Sequence, residues 1–343
     1  MVSREQTVLV SGGSGFLGGW CVAELLRQGY RVRTTVRDLG REPEVRAAVS
    51  TAVDPGDRLT VLAADLRNDE GWTEAVAGCE YVLHVASPFP ATQPKDPDEL
   101  IVPAREGTLR VLRAALDAGA ERVVVTSSVA AVTGSGVPKH GALLDESDWS
   151  DPDNLKMTPY ARSKTIAERA AWDLAAERGA SERLATVNPG AILGPVLGPA
   201  RSFSLQMVER LLKGVPGAPR IGYSVVDVRD VADLHLRAMT APEAGGKRFI
   251  AVESFLWMAE VAAILRANLG EDAAKVPKRT VPNLVVRAMS IADPSIRSIV
   301  GQLGKRTDLS SEQAQSLLGW SPRPAEETVV DTARSLLTNR APT

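Results

Sequence analysis

Thr7-Val8-Leu9-Val10-Ser11, running into Gly12-Gly13-Ser14-Gly15-Phe16-Leu17-Gly18, decides the fold of this chain. The first five residues read as a short buried strand. The glycine cluster then opens a helix-length stretch, Gly15–Gln28, as in the first unit of a dinucleotide-binding sheet. Glycine permits the tight turn, lets a pyrophosphate approach the main chain and allows close helix–strand packing. The helix N-terminus adds free N–H groups and a positive partial charge. Two registers fit, Gly12-x-x-Gly15-x-x-Gly18 and Gly13-x-Gly15-x-x-Gly18.

Outward from this turn, apolar runs alternate with amphipathic stretches, the pattern of repeated βαβ units. Strands are predicted at Thr7–Ser11, Arg31–Val36, Leu59–Ala63, Tyr81–His84, Arg122–Thr126 and Leu184–Asn188. Helices are predicted at Gly15–Gln28, Pro43–Val53, Asp69–Val76, Asp98–Ala118 and Pro159–Arg178. After Asn188-Pro189-Gly190 the chain becomes proline-punctuated around one helix, Ser202–Lys213, and then offers Val225–Val228 and helix Asp230–Thr240 as a return to the sheet. Arg248–Val252 is a further strand candidate. The expected fold is α/β: a Rossmann-type doubly wound parallel sheet with a smaller, partly discontinuous C-terminal substrate lobe. Residues 1–188 plus about 222–245 form the nucleotide domain in this reading, and about 189–221 plus 246–343 the lobe.

Composition narrows the function classes. The 343 residues are 44% hydrophobic and 24% charged, ordinary for a soluble globular chain. A net charge of −2 supplies no basic excess for nucleic acid. No apolar run reaches the roughly 18 residues of a membrane span, and the start shows no signal-peptide pattern. Cys21 and Cys79 imply no disulfide framework, and His84, His140 and His235 lack zinc-site spacing, so a cytoplasmic, metal-free protein is expected.

The chemistry is read from Tyr160 and Lys164, one helical turn apart. A free phenol titrates near 10, too high for efficient proton transfer at neutral pH, and a neighbouring ammonium favours the phenolate. Lys164 is placed to do this while bonding a nicotinamide ribose. Ser127 and Ser128 follow the fifth strand, at the sheet end where ligands bind, and one of them is expected to donate to a substrate oxygen while the other satisfies local backbone groups. At the end of the second strand, where NAD-binding chains carry an acid, Val36 is followed by Arg37, able to grip a 2′-phosphate. Arg41 adds a second charge, and Asp38 is a competing ribose acceptor. Asp65 is read either as an adenine contact or as a helix cap or turn residue.

These residues lie in stretches that resemble the extended short-chain dehydrogenase/reductases, in the group of dihydroflavonol reductases, cinnamoyl-CoA reductases and microbial ketone and aldehyde reductases. They are VLVSGGSGFLGGW, RVRTTVRD, AADL, VLHVASPF, EGTLRVLRAALDAG, RVVVTSSVAAV, PYARSKTIAE, TVNPGAILGP, VDVRDVADLHLRAM and LGWSPRPAEETVVDTARSLL. The resemblance implies the Gly12/Gly15/Gly18 register, with the backbone of Phe16 and Leu17 near the pyrophosphate. It implies Ser128 as the catalytic hydroxyl, Tyr160 as acid and Lys164 as its tuner. It further implies Arg37 at the 2′-phosphate, Asp65 and Leu66 at the adenine, Ala86 and Ser87 beside the cofactor, and Asn188, Pro189 and Gly190 near the carboxamide. Thr133 stands where plant flavonoid reductases carry an asparagine, and Asn154-Leu155-Lys156-Met157-Thr158-Pro159 replaces the aromatic-rich run of cinnamoyl-CoA reductases. Ser87 and Thr133 are the candidate substrate contacts.

The expectation is an NADPH/NADP-dependent carbonyl reductase, NADH being the alternative cofactor, acting on a small aldehyde or ketone as a homodimer or monomer. Two rivals share the fold: a nucleotide-sugar epimerase or dehydratase holding NAD tightly, and a non-catalytic NADP-binding regulator.

Overall fold

Seven parallel strands form the central sheet: β1 (Thr7–Ser11), β2 (Arg31–Val36), β3 (Leu59–Ala63), β4 (Tyr81–His84), β5 (Arg122–Thr126), β6 (Leu184–Pro189) and β7 (Lys247–Ala251). They lie in the order β7-β6-β5-β4-β1-β2-β3, so the winding reverses between β1 and β4. The computed structural model describes residues 6–88, 96–134, 143–154, 157–199, 202–292 and 300–339; His140, Phe89, Leu155 and Lys156 of the sequence reading lie outside them.

Alternation along the strands builds two cores. Val8 and Val10 join the core beneath α1 (Phe16–Arg27) and α8 (Val228–Thr240). Leu9, between them, faces the opposite core, under α3 (Trp72–Val76), α4 (Asp98–Asp117) and α6 (Pro159–Glu177). Strands buried on both faces read as continuous Val and Leu runs for this reason. The remaining helices of this part are α2 (Glu42–Ser50) and the single turn α5 (Ala130–Thr133), whereas α7 (Phe203–Lys213) packs in a third core.

This third core lies among the C-terminal elements, where Gly222–Asp227 is the middle strand of a three-stranded sheet. It runs parallel to Ala191–Leu193 and antiparallel to Ser254–Trp257.

Three expectations need correction here. The strand around Val225–Val228 does not return to the central sheet; Gly222–Asp227 pairs within the small sheet, and only helix α8 comes back to pack on the large one. The returning strand is β7, placed by the sequence reading in the lobe, which pairs in parallel with β6 from Lys247 to Ala251. Both segments are short apolar runs, and periodicity does not tell which sheet such a run joins. The helix expected from Asp69 begins only at Trp72, because Gly71 holds a φ of +80° and a Cβ there would stand 2.1 Å from the Ala63 carbonyl oxygen.

Candidate active site

The glycine turn is closed against its neighbours. Gly12 has a φ of +76°, and Gly15 N–H donates to its carbonyl at 2.9 Å. A Cβ on Gly18 would lie 2.3 Å from that carbonyl oxygen, and one on Gly13 would lie 2.1 Å from Thr34 Oγ1. Helix α1 starts at Phe16 with Gly15 as an uncapped N-terminus, so its first N–H groups, including those of Phe16 and Leu17, face the turn without a side-chain acceptor. A bare-backbone cradle of this kind fits a pyrophosphate. Ala86, at the tip of β4, packs against Gly12, its Cβ 3.0 Å from where a side chain would begin.

Ser11 braces this switch point. Its Oγ accepts from Val85 N–H and Ala86 N–H, both at 3.0 Å, which directs its own proton to His84 Nδ1 at 2.9 Å. Burial, and then the Lys164 charge, push His84 down to about 3, so the imidazole is neutral.

At the adenosine end, Val36 is buried and Arg37 exposed. The Asp38 carboxylate accepts from Gly40 N–H at 2.9 Å and caps a short turn. Arg41 is held by Glu44 at 2.6 Å, so the expected second charge is already paired. Among the described residues Arg37 forms no ion pair, although its charge helps hold the Asp65 carboxyl below the usual range. The larger cause is Arg67, which donates to Asp65 from its side chain at 2.6 Å and from its backbone at 2.9 Å. Asp65 thus lies in a turn, and the helix-cap reading alone fails, because Gly71 occupies the N-cap. Leu66 packs against the core under α4, where Gly107 gives it room.

At the reacting end, Thr158 caps α6 by accepting from Ala161 N–H at 3.2 Å, and Pro159 sets its first turn. That start puts Tyr160 and Lys164 on the face toward β5. The Tyr160 phenol is hydrogen-bonded by Ser128; burial holds it above its ordinary value, with Ser128 pulling the other way. Lys164 is 8% exposed, and its ammonium donates to the Thr126 carbonyl at 3.4 Å. Burial draws that ammonium down to about 8, against the opposing charge of Glu168. Burial and then Ser128 are the largest influences on Tyr160 in this arrangement, while the Lys164 ammonium, one turn along the helix, bonds a strand carbonyl.

The two serines do not divide as anticipated: it is Ser128 Oγ that accepts from a local backbone group, Ala130 N–H at 3.2 Å. Ser128 meets Tyr160, while Ser127 Oγ donates to the buried Glu168 carboxylate rather than to backbone. The Asn188 side chain is also turned inward, donating to Glu168 at 2.8 Å and to the Ser128 carbonyl at 3.3 Å. Pro189 accepts from Val129 N–H at 3.0 Å, and a Cβ on Gly190 would strike the Ser224 carbonyl oxygen at 2.2 Å. Ser87 is exposed at the tip of β4, and Thr133, half-buried, ends α5. Sequence reading missed Glu168, His84 and Ser11. Tyr160, Lys164 and Glu168 recur at four-residue spacing, a signal that one helix face carries all three.

The model of the NAD dependent epimerase/dehydratase family matches residues 8–251. Cinnamoyl-CoA reductase 1 of Oryza sativa subsp. japonica is 39% identical over 266 residues, 77% of this chain and 76% of the relative. Cinnamoyl-CoA reductase 2 of Medicago truncatula is 33% identical over 335 residues, 97% of this chain and 91% of the relative. Among solved structures, yeast methylglyoxal/isovaleraldehyde reductase Gre2 complexed with NADPH superposes with a TM-score of 0.80 at 26% identity, covering 97% of this chain and 98% of the other.

Proposed function

The chain belongs to the NAD dependent epimerase/dehydratase family, among the extended short-chain dehydrogenase/reductases, and from that premise we propose that it is an NADPH-dependent reductase of aldehyde or ketone carbonyls. It is an NADP-dependent oxidoreductase of this kind. The observation that carries the finer reading is the contact of Ser128 with the Tyr160 phenol, with the Lys164 ammonium one turn further along the same helix.

When bound, NADPH supplies a hydride. The backbone of Gly12, Gly15, Phe16, Leu17 and Gly18 would hold its pyrophosphate, and Arg37 the 2′-phosphate. Asp65, Leu66, Ala86, Pro189 and Gly190 would line its remaining length. The protein's own part is proton and charge management. Ser128 donates a hydrogen bond to the carbonyl oxygen, where negative charge grows during reduction. Tyr160 delivers the proton to that oxygen, and the Lys164 ammonium stabilises the phenolate left behind. In the oxidative direction the same groups run in reverse.

Ser87 and Thr133 are proposed to face the substrate. The departures from the plant pattern at Thr133 and at residues 154–159 favour a broad carbonyl specificity over a phenylpropanoid one. Val36 and Arg37 in place of an acid count against tightly held NAD, and therefore against an epimerase. Retention of Tyr160 and Lys164 counts against a non-catalytic regulator. NADPH consumption against a panel of aldehydes, ketones and hydroxycinnamoyl thioesters tests the reading. Turnover of simple carbonyls is expected; NAD retained through purification, with no oxidation of added NADPH, would overturn it.

A further inference from the structure

Behind the reacting face lies a closed polar cluster centred on Glu168, whose side chain is removed from solvent. Four donors from three strands converge on its carboxylate. Oε2 accepts from Ser127 Oγ at 2.5 Å and Asn188 Nδ2 at 2.8 Å; Oε1 accepts from Thr186 Oγ1 at 3.0 Å and Arg248 Nε at 2.7 Å. Arg248, 7% exposed, also donates to the carbonyls of Glu146 and Asp148, both at 2.7 Å, and lies 3.7 Å from the Trp149 ring centroid. Its Nη2 is buried with no hydrogen-bond partner among the described residues.

A buried ion pair is poor glue, since an apolar pair of the same shape is often at least as stabilising. What distinguishes this one is its attachments. Ser127 immediately precedes Ser128, and Asn188 Nδ2 bridges Glu168 to the Ser128 carbonyl. Lys164 sits one turn away on α6, and the Glu168 charge favours its ammonium against burial. The cluster thus touches both the strand tip that presents Ser128 and the cation beside it. We propose that Glu168 is a positioning residue for the reaction, setting the place of Ser128 through Ser127 and Asn188 and the charge of Lys164 directly, with Arg248 metering how much of its negative charge Lys164 feels. This rests on the reading of Ser128, Tyr160 and Lys164 as the reacting groups.

The charged and titratable groups around the Lys164 ammonium, among the described residues, are Tyr160 and Glu168 on its own helix, neutral His84 from β4, and Arg248 from β7 behind Glu168. Two substitutions therefore act on it in opposite directions. Glu168→Gln removes the favouring charge, and the ammonium loses its proton at lower pH; Arg248→Met leaves the Glu168 charge unshared, and it loses its proton at higher pH.

The test measures NADPH affinity by fluorescence, and kcat/KM for reduction of an aldehyde or ketone, across pH 6 to 10 (roughly the span in which such an ammonium titrates). Wild type is expected to lose affinity and rate through an alkaline limb near about 8. Glu168→Gln should move that limb down and Arg248→Met should move it up, each by about one pH unit. The double variant, which removes both charges together, should place the limb between those of the two single variants. Coincident limbs in all four proteins, with only thermal stability changed, would overturn the proposal. Where the single variants do not fold, Ser127→Ala keeps both charges and should lower kcat at least about tenfold with the limb unmoved; unchanged kcat would overturn the positioning half. The binding measurement needs no turnover. A protein that oxidises no NADPH yet shows the opposite limb shifts refutes the reductase reading and leaves only the control of the Lys164 charge by Glu168 and Arg248 standing.

Discussion

Ser127 and Ser128 are adjacent at the tip of β5, yet one donates to the buried Glu168 carboxylate at 2.5 Å and the other meets the Tyr160 phenol. Their alanine variants should separate accordingly. Ser128→Ala removes a donor to the developing oxyanion, and kcat should fall about 10²- to 10³-fold with little change in melting temperature. Ser127→Ala strips a donor from a buried carboxylate, which costs about 1–3 kcal/mol of stability, with the smaller kcat loss already described. Paired kinetics and thermal melts check this; equal effects on both quantities in the two variants would contradict the division.

Tyr160→Phe keeps the ring packing and removes the proton. NADPH binding should be retained while kcat drops about 10²- to 10⁴-fold. A variant that binds NADPH normally and still turns over at the wild-type rate would remove Tyr160 from the mechanism.

Cofactor choice is assigned to Arg37 rather than Arg41, because Arg41 is paired with Glu44 at 2.6 Å. Arg37→Ser should raise the NADPH Kd about 10- to 100-fold, the equivalent of a charged hydrogen bond of about 1.5–3 kcal/mol, and leave NADH binding unchanged. Arg41→Ser should do much less. Equal losses toward NADPH and NADH in Arg37→Ser would move the 2′-phosphate contact elsewhere.

Gly18 and Gly19 provide a matched pair. A Cβ on Gly18 would lie 2.3 Å from a backbone oxygen, that of Gly12, whereas on Gly19 the nearest atom would be 3.6 Å away. Gly18→Ala should abolish NADPH binding and destabilise by about 1–3 kcal/mol, since the turn itself has to move. Gly19→Ala should be neutral or slightly stabilising, as alanine suits a helix interior. Wild-type NADPH affinity in Gly18→Ala would show that this turn does not hold the pyrophosphate.

The central sheet was legible because buried parallel strands carry their signal locally: β1 to β5 start and stop where Val-rich runs meet glycine, aspartate or serine. The assignment of Gly222–Asp227 and Lys247–Ala251 to different sheets was not legible, because strand partnership depends on pairings made far along the chain. At the site, residue types with a chemical signature (the glycine turn, Tyr160, Lys164) stood out, while the choice of the Gly12 register and of Ser128 over Ser127 came from the resemblance. Glu168 did not, since a glutamate in an amphipathic helix looks like a solvated residue until three strands close over it. The inward bonds of the Asn188 side chain were not legible for a similar reason: alternation along a strand buried on both faces does not distinguish the ligand side from the interior.

The buried histidines set the acid side of the stability profile. His235 accepts from Thr126 Oγ1 at 2.7 Å and donates to the Val231 carbonyl at 2.7 Å, which requires the neutral ring, and burial pushes it down to about 4. His84, bonded to Ser11, is pushed down to about 3. The unfolded chain protonates both below about 6.5. Between that value and the folded ones the unfolded state binds more protons, so stability is full above about 6.5 and falls as pH falls, by at most about 1.4 kcal/mol per pH unit for each histidine. Burial raises the Glu146 carboxyl and so gives an opposing slope, which is common to wild type and histidine variants and cancels in their difference. His235→Gln should therefore be less stable at pH 7 (close to neutrality, where both rings are neutral in either state) but lose less on acidification, a difference read by urea unfolding at stepped pH. Parallel stability curves for the two proteins between about pH 6.5 and 4 would show that His235 takes up no proton on unfolding.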